Sequence, residues 1–263
     1  MSRYVLFQMW EPLRQSLMAE HLFYVDQARR RLLSQFDDID AEAERAAAEW
    51  LQNNSNRFDS DRHDPGDFEE QAYDAAIAFH GLMIDLREQT QLSIVAGMFH
   101  EWEKQLRNWL VREIQHWHRG DNVKQAVWKK NLGNIFDLLE GLDWTVRSRS
   151  YFPILDACRL VVNVYKHGEG DSLVELKQQY PEYLNDPLSQ IGELSSGLDY
   201  LDHTHMKVTD EQIQAFSDAI LAFWKGVPEN IFNEVSTKVP EWFEQAVKRD
   251  AKAAELSARS TAP

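Results

Sequence analysis

Apolar residues recur every three or four positions along most of this chain, the spacing of amphipathic helices. From about Pro12 to Leu51, the residues Leu22, Val25, Leu32, Phe36, Ile39, Ala43, Ala46 and Trp50 follow a coiled-coil seam interrupted only by Arg29. The pattern predicts one long helix. Such a seam arises more often inside an intramolecular bundle than between chains, so a hairpin or bundle edge is expected here. Asn53 to Asp67, NNSNRFDSDRHDPGD, is rich in turn formers and reads as a surface loop. A second helical pattern runs from about Phe68 to Trp117, with Ala72, Phe79, Met83 and Leu86 on one face and Val95, Phe99, Trp102, Leu106, Trp109 and Ile114 later. An unbroken helix of ~50 residues would be ~75 Å long, so a kink or break is expected near Thr90 to Ser93 or at Gly97. The part before it then forms a hairpin arm and the later part enters a compact domain.

Shorter elements follow. Val123, Val127, Ile135, Leu138 and Leu139 define a helix closing near Gly141, and Pro153 and Gly168 bracket another over 153–167. Asp171 to Gln179 adds a short helix, Pro181 to His205 is largely loop broken by Pro187, Gly192 and Gly197, and Met206 to Val208 is a brief extended piece. Thr209 and Gln212 form a capping-box pattern before Ile213, Phe216, Ile220, Phe223 and Trp224, a helix ending at Gly226. Pro240 opens a last helix carrying Trp242, Phe243 and Val247, and the tail AKAAELSARSTAP is expected to fray. Residues 1–10 read as a short aromatic extension packed on another element.

Composition agrees with helix: only 11 glycines and 8 prolines occur in 263 residues. The expected class is all-α, a multi-helix bundle with a long N-terminal helical hairpin. Residues 1–92 form that hairpin with its loop at 53–67, residues 93–250 the bundle and residues 251–263 the frayed tail. The single cysteine, Cys158, excludes an internal disulfide and a zinc-type cysteine cluster, and its place on an apolar helix predicts a buried small side chain. No run approaches the ~18 apolar residues that span a bilayer, and MSRYVLFQMWEPLRQ lacks a signal-peptide pattern, so a soluble, cytoplasmic protein with no membrane partner is expected. The net charge of −15 repels a phosphate backbone at long range and counts against a general nucleic-acid coat. A local groove can still be positive within a Debye length of ~8 Å.

Few residues carry candidate chemistry. Glu113 and His116 form a lone Glu-x-x-His pair, where a di-iron bundle needs two pairs and further carboxylates. His116 and His118 fall on nearly opposite helix faces. His203 and His205 with Asp199 and Asp202 permit metal binding only in extended chain. No metal and no cofactor is expected. Phosphate-loop, dinucleotide, nucleophile-elbow and zinc-protease motifs are absent from the sequence. Trp102, Trp109 and Trp224 lie at core periodicity and read as packing residues rather than base-stacking platforms.

The helix over 153–167 is different. Arg159, Asn163 and His167 recur every four residues in one slanting polar stripe, with Lys166 beside it, on an otherwise apolar helix. Metal-free RNA cleavage needs an acid, a base and a cation for the phosphorane charge. His167 suits the acid or base and Arg159 a bidentate phosphate contact, with Asn163 orienting and Lys166 adding charge. Arg147 and Arg149, just before the helix, would bind substrate. An Arg, an Asn and then Lys166-His167-Gly168 at a helix end resemble the active-site helix of the HEPN superfamily, helical domains many of which are metal-independent ribonucleases. Seven residues separate Arg159 from His167, more than the family's usual interval, and the helix rise puts their Cα atoms ~12 Å apart. The resemblance implies the same roles for these residues, an RNA substrate, a homodimer whose two stripes face each other, and a toxin or antiviral-defence setting with a regulatory protein partner. Two other readings stand beside it. One is a non-catalytic helical subunit that binds a nucleotide or a protein through the stripe or the hairpin. The other is a structural stripe in which Arg159 pairs with an acidic residue of the bundle.

Overall fold

A computed structural model describes residues 4–59, 61–187, 198, 200–233 and 238–260. The architecture is the expected helical one, with a two-stranded sheet added. Strand β1 (Val5–Gln8) pairs antiparallel with β2 (Asn230–Phe232), Val5 opposite Phe232 and Gln8 opposite Asn230. Side chains from the end of a distant helix and the turn after it bond the strand's backbone: the Trp117 indole donates to the Leu6 carbonyl at 2.8 Å, and the Gln8 amide donates to Glu113 at 2.9 Å. Glu113 is therefore a backbone anchor, and no group of three or more potential metal ligands occurs among the described residues.

The expected single helix over 12–51 is two helices. Helix α1 (Glu11–Arg31) ends at three arginines that suit a helix C-terminus, a 3-10 turn follows at Leu33–Phe36, and α2 is Ile39–Asn54. The seam also shifts. α1 buries Arg14, Leu17, His21, Val25 and Ala28, while Leu22 and Leu32 of the expected seam are exposed. α1 packs on the body and α2 on the next helix, so the chain must turn between them, and Phe36 and Ile39 bury themselves at that turn.

Helix α3 (Pro65–Gln115) runs unbroken through the expected break. Asp64 caps its start by accepting from the Gly66 amide at 3.0 Å. Thr90 returns its hydroxyl to the Leu86 carbonyl at 2.8 Å without interrupting the ladder. Gly97 has a packing role: a Cβ there would collide with the hydroxyl of Tyr24 on α1, which lies against the helix and donates to the Ile94 carbonyl at 3.3 Å. The two halves of α3 differ in surroundings. Between residues 65 and 90 only Ala72 is buried, and α2 is the main neighbour; from Gln91 onward the helix enters the core. The hairpin is thus α2 with the first half of α3.

The body adds α4 (Asp121–Lys129), α5 (Leu132–Gly141), α6 (Phe152–His167), α7 (Asp171–Gln179), α8 (Asp210–Gly226) and α9 (Glu241–Ser260). Its centre is aromatic. Phe223 of α8 has the rings of Trp102, Trp144 and Trp224 at 5.0, 5.1 and 5.3 Å. Trp102, Trp109 and Trp224 are buried, as periodicity predicts, as are Trp144 and Cys158, whose thiol is pushed up in pKa by burial. The α8 capping box forms, with Thr209 accepting from the Gln212 amide at 3.2 Å and Gln212 accepting from the Thr209 amide at 2.9 Å. Met206 makes an isolated antiparallel bridge with Leu184. α9 stays helical to Ser260 where fraying is expected from Ala251. One α9 residue explains its attachment. Asp250 is buried and accepts from the Asn122 and Val123 amides at 2.9 and 3.1 Å and from the Asn122 side chain at 2.8 Å, capping α4 from outside. His118 is 2.9 Å away on the same carboxylate. Burial works against that charge, but these bonds outweigh it and hold the Asp250 pKa down at about 2. No helix among the described residues is long and apolar enough to cross a membrane.

Candidate functional site

Helix α6 begins one residue before the expected start. Pro153 occupies its first turn, and Gly168 ends it at φ +71, a left-handed position that a side chain would strain, with its amide on the Val164 carbonyl at 2.8 Å. The apolar face, Leu155, Cys158, Val161 and Val162, is buried, which turns the Arg159 stripe toward a groove of about 640 Å³. Arg147, Arg159 and Asn163 line that groove together with Arg107, Lys129 and Lys130.

The arginines in it are already engaged. Arg159, with its side chain 24% exposed, donates through Nε to Asp156 at 2.7 Å and through Nη2 to Glu175 of α7 at 3.2 Å. Tyr180 holds the second oxygen of Asp156 at 3.3 Å. Burial alone would lower the Arg159 pKa, but the bonds and charges of Asp156 and Glu175 outweigh it and raise it. Arg147 reaches Asp137 at 2.7 Å, Glu140 at 2.9 Å and the Gly133 carbonyl at 3.1 Å, tying α5 to the turn before α6. Arg107 is buried, bonded to Glu103 and to the Val127 carbonyl. Lys129 and Lys130 carry no ion pair among the described residues.

The structure gathers Arg147, Arg159 and Asn163 and leaves the other candidates outside. Lys166, His167 and Arg149 are exposed and do not line the groove. Eight residues of helix rotate His167 about 80° from Arg159 and carry it ~12 Å along the axis, beyond the end of the groove. Asp199 lies outside the described residues, as do Gly192 and Gly197. His203 instead bonds Glu169 at 3.0 Å, and His205 bonds Asp202 at 2.9 Å within a capping turn.

The acidic partners of these arginines, Asp137 and Glu140 on Arg147 among them, are not named by the sequence pattern alone. Asp156 with Arg159 and Glu103 with Arg107 have the i,i+3 and i,i+4 spacings of helical ion pairs and were legible. Glu175 was not, because the Gly168 to Gly170 turn decides where α7 lies against α6. Comparison of the chain with protein-family profiles, with curated proteins and with solved structures finds no match in any of the three.

Proposed function

We propose that this protein is a non-catalytic helical binding subunit that engages a protein partner through the α2–α3 hairpin. The observation that carries this reading is the division of the α6 stripe. Arg159 is clamped between Asp156 and Glu175, and His167 stands exposed outside the groove, so among the described residues one chain places no histidine beside the guanidinium, and the two carboxylates there are bound up in the clamp. The clamp has a structural use, since it joins α6 to α7. The hairpin meanwhile extends large apolar side chains into solvent.

A second reading keeps the HEPN resemblance: a metal-independent endoribonuclease in which a homodimer supplies His167 of one copy to the Arg159 groove of the other. The exposure of His167 and the groove's Asn163, Lys129 and Lys130 favour it. Cleavage of a mixed RNA pool in EDTA divides the two. The binding-subunit reading expects intact RNA with wild type at micromolar enzyme; fragments from wild type that vanish in folded Arg159→Ala and His167→Ala variants would establish the ribonuclease.

A further inference from the structure

The hairpin's surface says what kind of partner it fits. Residues 39–90 hold thirteen Asp and Glu against four Arg and no Lys, nine of the chain's fifteen net negative charges in a fifth of its length. On α3, Tyr73 and Ile77 are one turn apart and 65% and 53% exposed. On α2, Asp40, Glu44 and Leu51 share one stripe by the same helical spacing, with Leu51 40% exposed. The pair His80 and Asp40, at 3.2 Å, places that stripe beside the Tyr73 and Ile77 face. The two helices form an antiparallel hairpin, so Leu51 lies at the Tyr73 end. Glu44, Glu70 and Asp74 are exposed around these apolar residues and carry no ion pair among the described residues.

We propose that this face docks a basic amphipathic helix of a partner protein. Its apolar stripe would cover Leu51, Tyr73 and Ile77, and its Lys and Arg rim would meet Glu44, Glu70 and Asp74. Charge excludes the other occupants of such a face. A second copy in a two-fold contact would set these carboxylates against their own equivalents. An anionic bilayer or a nucleic acid would be repelled in the same way. Apolar residues inside an acidic rim match a cationic helix, which gains both the buried area and the ion pairs.

The inference rests on the binding-subunit reading, and its test is separate from RNA cleavage. A fluorescein-labelled synthetic helix with a leucine stripe and lysine flanks is titrated with the full chain and followed by anisotropy, beside an isomer with glutamate flanks. The lysine peptide is expected to bind wild type and the glutamate isomer not to. Affinity should fall about tenfold or more in Tyr73→Ala/Ile77→Ala and in Glu44→Lys/Glu70→Lys/Asp74→Lys, and stay unchanged in a body-surface control, Glu101→Lys/Glu255→Lys. Absence of binding to wild type, or equal loss in the control, overturns the proposal. So does sedimentation showing a wild-type dimer that the Tyr73→Ala/Ile77→Ala variant splits, since the face would then belong to a second copy. RNA fragments from wild type would instead remove the binding-subunit reading, whatever the peptide does.

Discussion

The two halves of α3 share one backbone geometry and meet opposite conditions. Before residue 90 the helix packs mainly on α2, reaches the body only at its end through Arg87 to Asp210 and Glu88 to Lys207, and exposes Tyr73, Ile77, Leu82 and Leu86; beyond it, Leu92, Val95, Met98, Phe99, Trp102 and Leu106 are buried among α1, α6 and α8. The first half is held by helix formation, the hairpin contact with α2 and two ion pairs at its end, the second by a packed core. Substitutions and opening motions should therefore read differently on either side of residue 90, although the helix itself is continuous.

The largest contrast concerns the body's latch. Asp250→Ala leaves the Asn122 and Val123 amides and His118 without their acceptor and is expected to cost roughly 3 kcal/mol in urea unfolding, with α4 and α9 loosening first. Charge reversal of the arm by Glu44→Lys/Glu70→Lys/Asp74→Lys should change stability by less than about 0.5 kcal/mol. An equal loss in both would sink the distinction between the two regions.

A comparable effect comes from acid. His21, buried on α1 with its Nε2 2.8 Å from the Ser217 hydroxyl of α8, is held down to a pKa of about 4, burial outweighing the bond from Ser217 and the charge of Asp218. The native state favours the neutral ring, so the unfolded chain takes up the proton first. The stabilisation is complete above the ordinary histidine pKa near 6.5 and is lost progressively as pH falls toward 4, by up to roughly 3 kcal/mol. Unfolding titrations of wild type and His21→Phe should diverge in that window. Parallel curves would remove the assignment.

The same substitution at two glycines of α3 should have opposite signs. Gly97→Ala drives a methyl into Tyr24 and is expected to destabilise by about 2 kcal/mol, with partial recovery in Gly97→Ala/Tyr24→Ala. Gly81→Ala meets nothing within 4 Å and should stabilise the arm by roughly 0.5–1 kcal/mol through helix propensity. Thermal melts of the two single variants check the pair, and destabilisation by Gly81→Ala would show the arm to be covered.

A loss smaller than those at Asp250, His21 and Gly97 concerns the groove. Arg159→Met removes the link between α6 and α7 and is expected to cost about 1 kcal/mol, since its partner Glu175 is partly solvated and can rehydrate. A loss several times larger in chemical denaturation would mean that Asp156, half-buried and left with only the Tyr180 hydroxyl, dominates instead.

What the sequence determined by itself is local. The helical class, the α8 capping box, the α6 boundaries at Pro153 and Gly168, the burial of Cys158 and the alignment of Arg159 with Asn163 all follow from residues within four positions of each other. Tertiary structure decided everything that depends on a distant neighbour. Val25 belongs to both the expected and the observed α1 seam, and only the placement of α8 selects Leu17 and His21 over Leu22 and Leu32. Gly97 reads as a break until Tyr24 is seen to occupy the space beside it. Arg159 has Asp156 one turn before it in the linear pattern, and becomes clamped from both sides only once Glu175 arrives from α7. Helical periodicity constrains which side a residue faces, whereas the partner found there is set by how the helices pack, and that is a property of the whole chain.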